Sequence, residues 1–120
     1  MISTQQAVNF AQGWIDAWNS HDLERIMAHY TDDFEMTTPL IIKLMNHPTG
    51  TIKGKEMVKP YLEKALTLLP NLKFELIEAM SSVDSITVCY KAILGKRAAE
   101  VLFFDSNGKI NKSIAHYNSV

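Results

Sequence analysis

A chain of 120 residues has room for one domain and one hydrophobic core. Hydrophobic residues make up 47% of it and charged residues 21%, which excludes a disordered chain. Twelve Lys and Arg against thirteen Asp and Glu leave a net charge of −1, without the basic excess of a nucleic-acid binder.

The only cysteine, Cys89, can form neither an internal disulfide nor a zinc knuckle. The opening Met1-Ile2-Ser3-Thr4-Gln5-Gln6 lacks the basic stretch and apolar run of a secretory signal. The longest aliphatic or aromatic run, Val101 to Phe104, is four residues, whereas a membrane span needs about 20. The expectation is a single domain over residues 1–120, cytoplasmic, with a reduced thiol and neither a membrane nor a nucleic acid as partner.

Ala7, Ala11, Trp14 and Trp18 recur at helical spacing, with Ser3 or Thr4 placed to cap the start. After Asn19-Ser20-His21-Asp22, a short second helix presents Leu23, Ile26, Met27 and Tyr30. Phe34 and Met36 alternate as a short strand ending near Pro39, and a loop follows through Asn46-His47-Pro48-Thr49-Gly50. A third helix runs from about Gly54 to Leu69, with Met57, Tyr61, Leu62, Ala65, Leu66 and Leu69 on its apolar side and Pro60 kinking it. Strands then begin at Phe74 and Leu76, and continue through the strict alternation Ile86, Val88, Tyr90, Ala92, Leu94. Gly95-Lys96 marks a two-residue hairpin, the next strand covers Arg97 to Asp105, and Ser106-Asn107-Gly108 turns the chain into a last strand from Lys109 to Asn118. Helices followed by an antiparallel meander make an α+β domain. Val101 and Phe103 face one side of their strand, and Leu102 and Phe104 the other, so both sheet faces are apolar. Three helices cover one face of so small a sheet. The uncovered face points to a homodimer through the sheet, unless a long loop or the C-terminal tail covers it.

The segment from Trp14 to Leu23, followed by His29-Tyr30-Thr31-Asp32-Asp33-Phe34, resembles the opening of the nuclear-transport-factor-like superfamily, which includes ketosteroid isomerases and SnoaL-like polyketide cyclases. Gly54-Lys55-Glu56, Leu69 to Glu75, and Phe104 to Ile110 extend the resemblance over nearly the whole chain. It implies a cone-shaped half-barrel, with three N-terminal helices packed on a curved, mostly antiparallel sheet, and an apolar pocket inside. Because this fold hosts isomerases, cyclases, hydrolases and association domains alike, it implies no single function.

Carried over position by position, the resemblance puts Trp14 where a ketosteroid isomerase has its tyrosine, Thr38 where it has its general base, and Glu100 where it has its protonated aspartate. An indole is not a phenol, and a threonine does not abstract a carbon-bound proton at neutral pH, so steroid isomerase chemistry itself is not expected. Glu100 is the candidate catalytic residue. On the inner face with Leu102 and Phe104 it would enter the pocket with a raised pKa. The alternatives are solvent exposure or a salt bridge to Lys91, Arg97 or Lys112. The protonated acid of ketosteroid isomerase is the known example of such a group. The candidate pocket wall is Trp14, Trp18, Tyr30, Thr38, Met57, Tyr61, Leu102, Phe104 and Tyr117, with Tyr90 among further aromatics that serve as wall or as plain core.

The other polar residues read as structural. His21 is a turn cap, His29 ends a helix, His47 sits in a loop at the expected pocket mouth, and His116 faces the dimer side. Asp32 and Asp33 fit turn chemistry, Lys53, Lys55 and Lys59 a solvated face, and Cys89 a structural thiol. No histidine pair has metal-ligand spacing, and neither a metal nor another cofactor is expected. The functional expectation is a small hydrophobic molecule bound in the cone, with cofactor-free isomerase- or cyclase-like proton transfer through Glu100 and with Trp14 or Tyr117 orienting the ligand. The alternative is a non-catalytic binding or association domain that lacks the family's catalytic residues.

Overall fold

The first long helix sets the shape of the interior. In the computed structural model, which describes residues 1–119, α1 spans Thr4–Ser20. Ser3 caps it in a reciprocal box with Gln6, satisfying two backbone N–H groups that the first turn leaves free. Its buried stripe is Ala7, Ala11, Trp14, Ile15, Ala17 and Trp18. Small residues occupy one end and indoles the other. Trp14 and Trp18 pack against Phe74, and Trp14 also meets Tyr90.

α2 (Leu23–Met27) is capped by Asp22 and stops before Tyr30, which the helical spacing had assigned to it. Tyr30 instead opens β1 (Tyr30–Thr37), and only its buried side keeps the spacing it would have on the helix. A second correction follows. Residues expected to form a loop after Pro39 form α3 (Pro39–Met45), with Thr38 as N-cap and Pro39 in the first turn, where its missing N–H costs nothing. The remaining loop carries the chain into β2 (Thr51–Lys53), a short strand that the sequence reading passed over. The structure thus has four α-helices rather than three among the described residues.

α4 (Lys55–Leu68) runs through Pro60 without being divided and buries Val58, Tyr61, Leu62 and Ala65. The expected apolar side was out of phase by one residue at its start. Met57 is 59% exposed, and Val58 takes the core position. The chain then returns along a segment stitched to the end of α1. Asn19 donates to the Phe74 carbonyl at 2.9 Å and accepts from the Phe74 N–H at 2.7 Å, and His21 Nε2–H donates to the Leu72 carbonyl at 2.7 Å. His21 therefore does more than cap a turn.

β3 (Glu75–Ser81), β4 (Ser85–Lys91), β5 (Arg97–Phe104) and β6 (Ile110–Tyr117) form the expected antiparallel meander. β6 then pairs in parallel with β1, and the six strands lie in the order β2-β1-β6-β5-β4-β3. The sheet does not close, and irregularities at Leu76/Glu78, Phe103/Phe104 and Tyr30/Glu35 bend it around α1. The β4–β5 connection differs from a two-residue turn. Lys91 pairs with Arg97, and the link between them contains a single 3₁₀ turn, Ile93–Gly95, with Leu94 and Gly95 both at positive φ. No helix among the described residues is long and apolar enough to cross a membrane.

Candidate functional site

Strand parity decides where Glu100 goes. Ala98, Glu100 and Leu102 alternate onto the buried face of β5, while Ala99, Val101 and Phe103 are half-buried on the other. Glu100 is 6% exposed, flanked by Val88 on β4 and Ala115 on β6. It is not ion-paired. Lys91 reaches Glu75 at 3.9 Å and Lys112 reaches Glu35 at 3.8 Å, both on other surfaces. Among the described residues, the carboxyl's hydrogen-bond partner is Tyr90, whose hydroxyl donates to Oε1 at 2.8 Å.

Burial without a cation pushes the Glu100 carboxyl from its ordinary value near 4.5 up to about 7, and the Tyr90 hydrogen bond opposes the rise. Every tyrosine of the chain feels this charge. Burial raises Tyr30, Tyr61 and Tyr90 well above the ordinary phenol value, and the Glu100 carboxylate adds to the rise. Tyr117 goes to about 12 for the same two reasons, with the Thr38 and Tyr90 hydroxyls opposing. The buried acid thus has one phenol donating to it, three more tyrosines near enough to feel its charge, and no counter-ion among the described residues.

The carboxyl borders a cavity of about 40 Å³ lined by Trp18, Met36, Thr38, Tyr61, Tyr90 and Tyr117, with Phe74 and Leu72 toward the outside. This is large enough for water or one small polar group, which needs on the order of 10–15 Å³. It is far below the roughly 300–1,000 Å³ of a pocket for a drug-sized molecule.

The structure thus brings Glu100, Trp18, Thr38, Tyr61 and Tyr117 together and separates the other expected wall residues. Trp14 lies behind the wall, where its indole N–H donates to the Tyr30 hydroxyl at 3.0 Å. That bond occupies the donor that was expected to orient a ligand. Tyr30 and Leu102 are sealed in the core, Phe104 packs edge-on against Phe10, and Met57 is on the outer surface of α4. Sequence reasoning missed Met36 as a wall residue, although it shares inward parity with Phe34 and Thr38.

Trp18 was an expected wall residue, but its free donor was not foreseen. Its buried indole N–H lacks a hydrogen-bond partner. It lies near enough to the Tyr30 hydroxyl to oppose that group's pKa rise, without reaching bonding geometry. An unpartnered buried donor costs about 1–3 kcal/mol. Thr38 has no base function here, since its hydroxyl accepts from the Leu40 N–H at 3.2 Å as the cap of α3. His47 shapes the loop after α3, its Nδ1 accepting from the Thr49 and Gly50 N–H groups at 3.3 Å. His116 is exposed on the outer sheet face. Among the described residues, no group of three His, Cys, Asp or Glu side chains stands close enough to hold a metal ion.

A family model described as a SnoaL-like domain matches residues 11–110. A SnoaL-like protein of unknown function from Burkholderia thailandensis is 41% identical, with 98% of each chain covered and a TM-score of 0.93. An NTF2-like protein of unknown function from Cytophaga hutchinsonii is 15% identical over 98% of this chain and 92% of its own, with a TM-score of 0.70. SalBIII, an epoxide hydrolase/cyclase-like enzyme with a role in pyran ring formation in the polyether salinomycin, is 17% identical, with 99% and 95% covered and a TM-score of 0.77. These last two share the fold. No functionally curated protein matches the chain.

The raised Glu100 pKa has a consequence for stability. The folded state holds the proton more tightly than the unfolded state does, so this group's contribution is most favourable below about pH 4.5 and is lost as pH rises through about 7. The full loss is about 3 kcal/mol at most. Urea unfolding should show Glu100→Gln matching the wild type near pH 4.5 and exceeding it in stability at pH 8. Equal or lower stability of the variant at pH 8 would contradict a buried, unpaired carboxylate.

Proposed function

The chain belongs to the SnoaL-like family, and we propose that it binds a small, largely apolar carbonyl compound in the cone and moves a proton on it through Glu100. The observation that carries this reading is the pairing of a cavity with a buried carboxyl that titrates near neutrality without a counter-ion. Such a group is present as both acid and base at pH 7, the condition for efficient general acid–base catalysis.

With no second carboxyl in the wall among the described residues, one residue takes and returns the proton. The Glu100 carboxylate removes a proton from the carbon next to the ligand's carbonyl. The resulting enolate oxygen accepts a hydrogen bond from the Trp18 N–H, the donor that has no other partner. In a β,γ-unsaturated carbonyl compound, protonated Glu100 then delivers the proton to the γ-carbon, and the double bond moves into conjugation. In a ligand with a second carbonyl, the enolate carbon attacks that carbonyl carbon, its oxygen takes the π electron pair, and protonated Glu100 delivers the proton to this alkoxide, closing a ring. The cyclase-like character of SalBIII, on the same fold, favours this class. The small cavity favours the second reading, a binding domain without chemistry.

Deuterium exchange distinguishes the two. In D₂O, wild-type protein should catalyse exchange of the α-protons of cyclopentanone, with a rate that rises to a plateau through about pH 7. Glu100→Gln should lose at least about 100-fold. Saturable binding with no exchange above the buffer rate would leave a binding protein.

We also propose a homodimer through the outer sheet face, where Val101, Phe103 and Ile114 are half-buried on one chain. Wild-type protein should sediment at twice the 13.6 kDa chain mass and Phe103→Lys at once that mass. A monomeric wild type would overturn the dimer.

A further inference from the structure

The cavity beside Glu100 does not end at a smooth surface. A groove of about 280 Å³ lies outside it, between the segment Leu68–Lys73 and the β4–β5 connection at Ala92–Leu94. Leu69, Leu72, Ala92 and Ile93 line both spaces, so the groove adjoins the cavity at these four residues. The groove is apolar, and Lys73 is the one charged residue among its described walls.

Two details of its rim oppose the usual tendencies of a surface. Leu94 is 89% exposed and Leu68 is 53% exposed. Leu94 is also held at φ 55, a left-handed conformation that costs a bulky residue energy and that the following glycine, Gly95, adopts freely. A leucine retained at such a position, with its side chain in water at the mouth of an apolar groove, has an outlet for its free energy if an apolar ligand covers it.

Volume supplies the rest. The inner cavity holds only a group of a few atoms, while the adjoining groove is about sevenfold larger. A cavity of this volume has no room for a polycyclic body, but an extended molecule can place a small oxygen head in it and leave its body in the groove. We propose that the groove is the tail subsite of the Glu100 site, and that the ligand is an elongated amphiphile, with one carbonyl head and an unbranched apolar tail of several methylenes. This rests on reading the cavity as a ligand site. It adds the shape and size of the ligand and the residues that select for them. Leu94 and Leu68 act as specificity residues on the tail and do not touch the reacting atoms.

A homologous series of methyl ketones, 2-butanone to 2-octanone, tests this by ¹H–¹⁵N NMR titration of the full chain. The Trp18 indole N–H reports the head, and the Leu94 amide reports the tail. Affinity should rise about twofold to fourfold for each methylene. The Leu94 amide should respond only to the longer ketones, while the Trp18 signal responds to all. Leu94→Ser and Leu68→Ser change exposed side chains and should each weaken 2-octanone at least about threefold, leaving 2-butanone unchanged.

Equal affinity along the series, or a chain-length gain that survives both substitutions, would overturn the tail subsite while leaving the cavity intact. A chain-length gain at Leu94 with no response at Trp18 would overturn the head placement, and with it the proposed chemistry of Glu100. Silence at both reporters for every ketone would overturn both.

Discussion

The interior of this protein is organised around a carboxyl group that has no counter-ion. Glu100 is buried among strands and aromatic rings, with one hydrogen bond from Tyr90 and no lysine or arginine within reach among the described residues. Placing it there costs solvation that Coulomb attraction does not return. The protein tolerates the group by letting it hold its proton near neutral pH and by surrounding it with phenols that carry no competing charge. α1 contributes Trp18 to the wall of the cavity beside Glu100. The Asn19 and His21 hydrogen bonds fix the segment that closes it from the outside.

Much of this was legible in the sequence, because strand periodicity is strict. The alternation puts Ala98, Glu100 and Leu102 on one face, but both faces of this strand are apolar in sequence, and only the packing of the sheet shows that this set is the buried one. The meander and α1 were legible for the same reason, since each carries several repeats of its period. Where a signal was short, it failed. Thr38-Pro39 is a good helix start, but the helix it begins has seven residues and runs into Asn46-His47-Pro48, whose turn character is more conspicuous. Met57 and Val58 are adjacent, and only the geometry of the Gly54 cap decides which faces the core. Tyr30 fits the spacing of a helix it does not join.

The two tryptophans show a limit of a different kind. Trp14 and Trp18 lie one turn apart on the same stripe, and no pattern distinguishes them. Three-dimensional packing gives one N–H a partner in Tyr30 and leaves the other without one. The sequence reading took Trp14 as the indole that would orient a ligand, whereas the unpartnered N–H belongs to Trp18. Leu102 and Phe104 follow Glu100 along the inner face, but away from the mouth, so parity named them while distance removed them from the wall. A family fold shared by proteins with different activities leaves such local packing to decide the chemistry.

The account stands on the protonation state of one residue. Selective ¹³C labelling of glutamate side chains and a carboxyl NMR titration would measure it directly. One glutamate resonance should titrate with a midpoint near pH 7 and be absent in Glu100→Gln. If the resonance lost in Glu100→Gln titrates near pH 4.5 in the wild type, the carboxyl is solvated or paired, and the proposed proton transfer at neutral pH is contradicted.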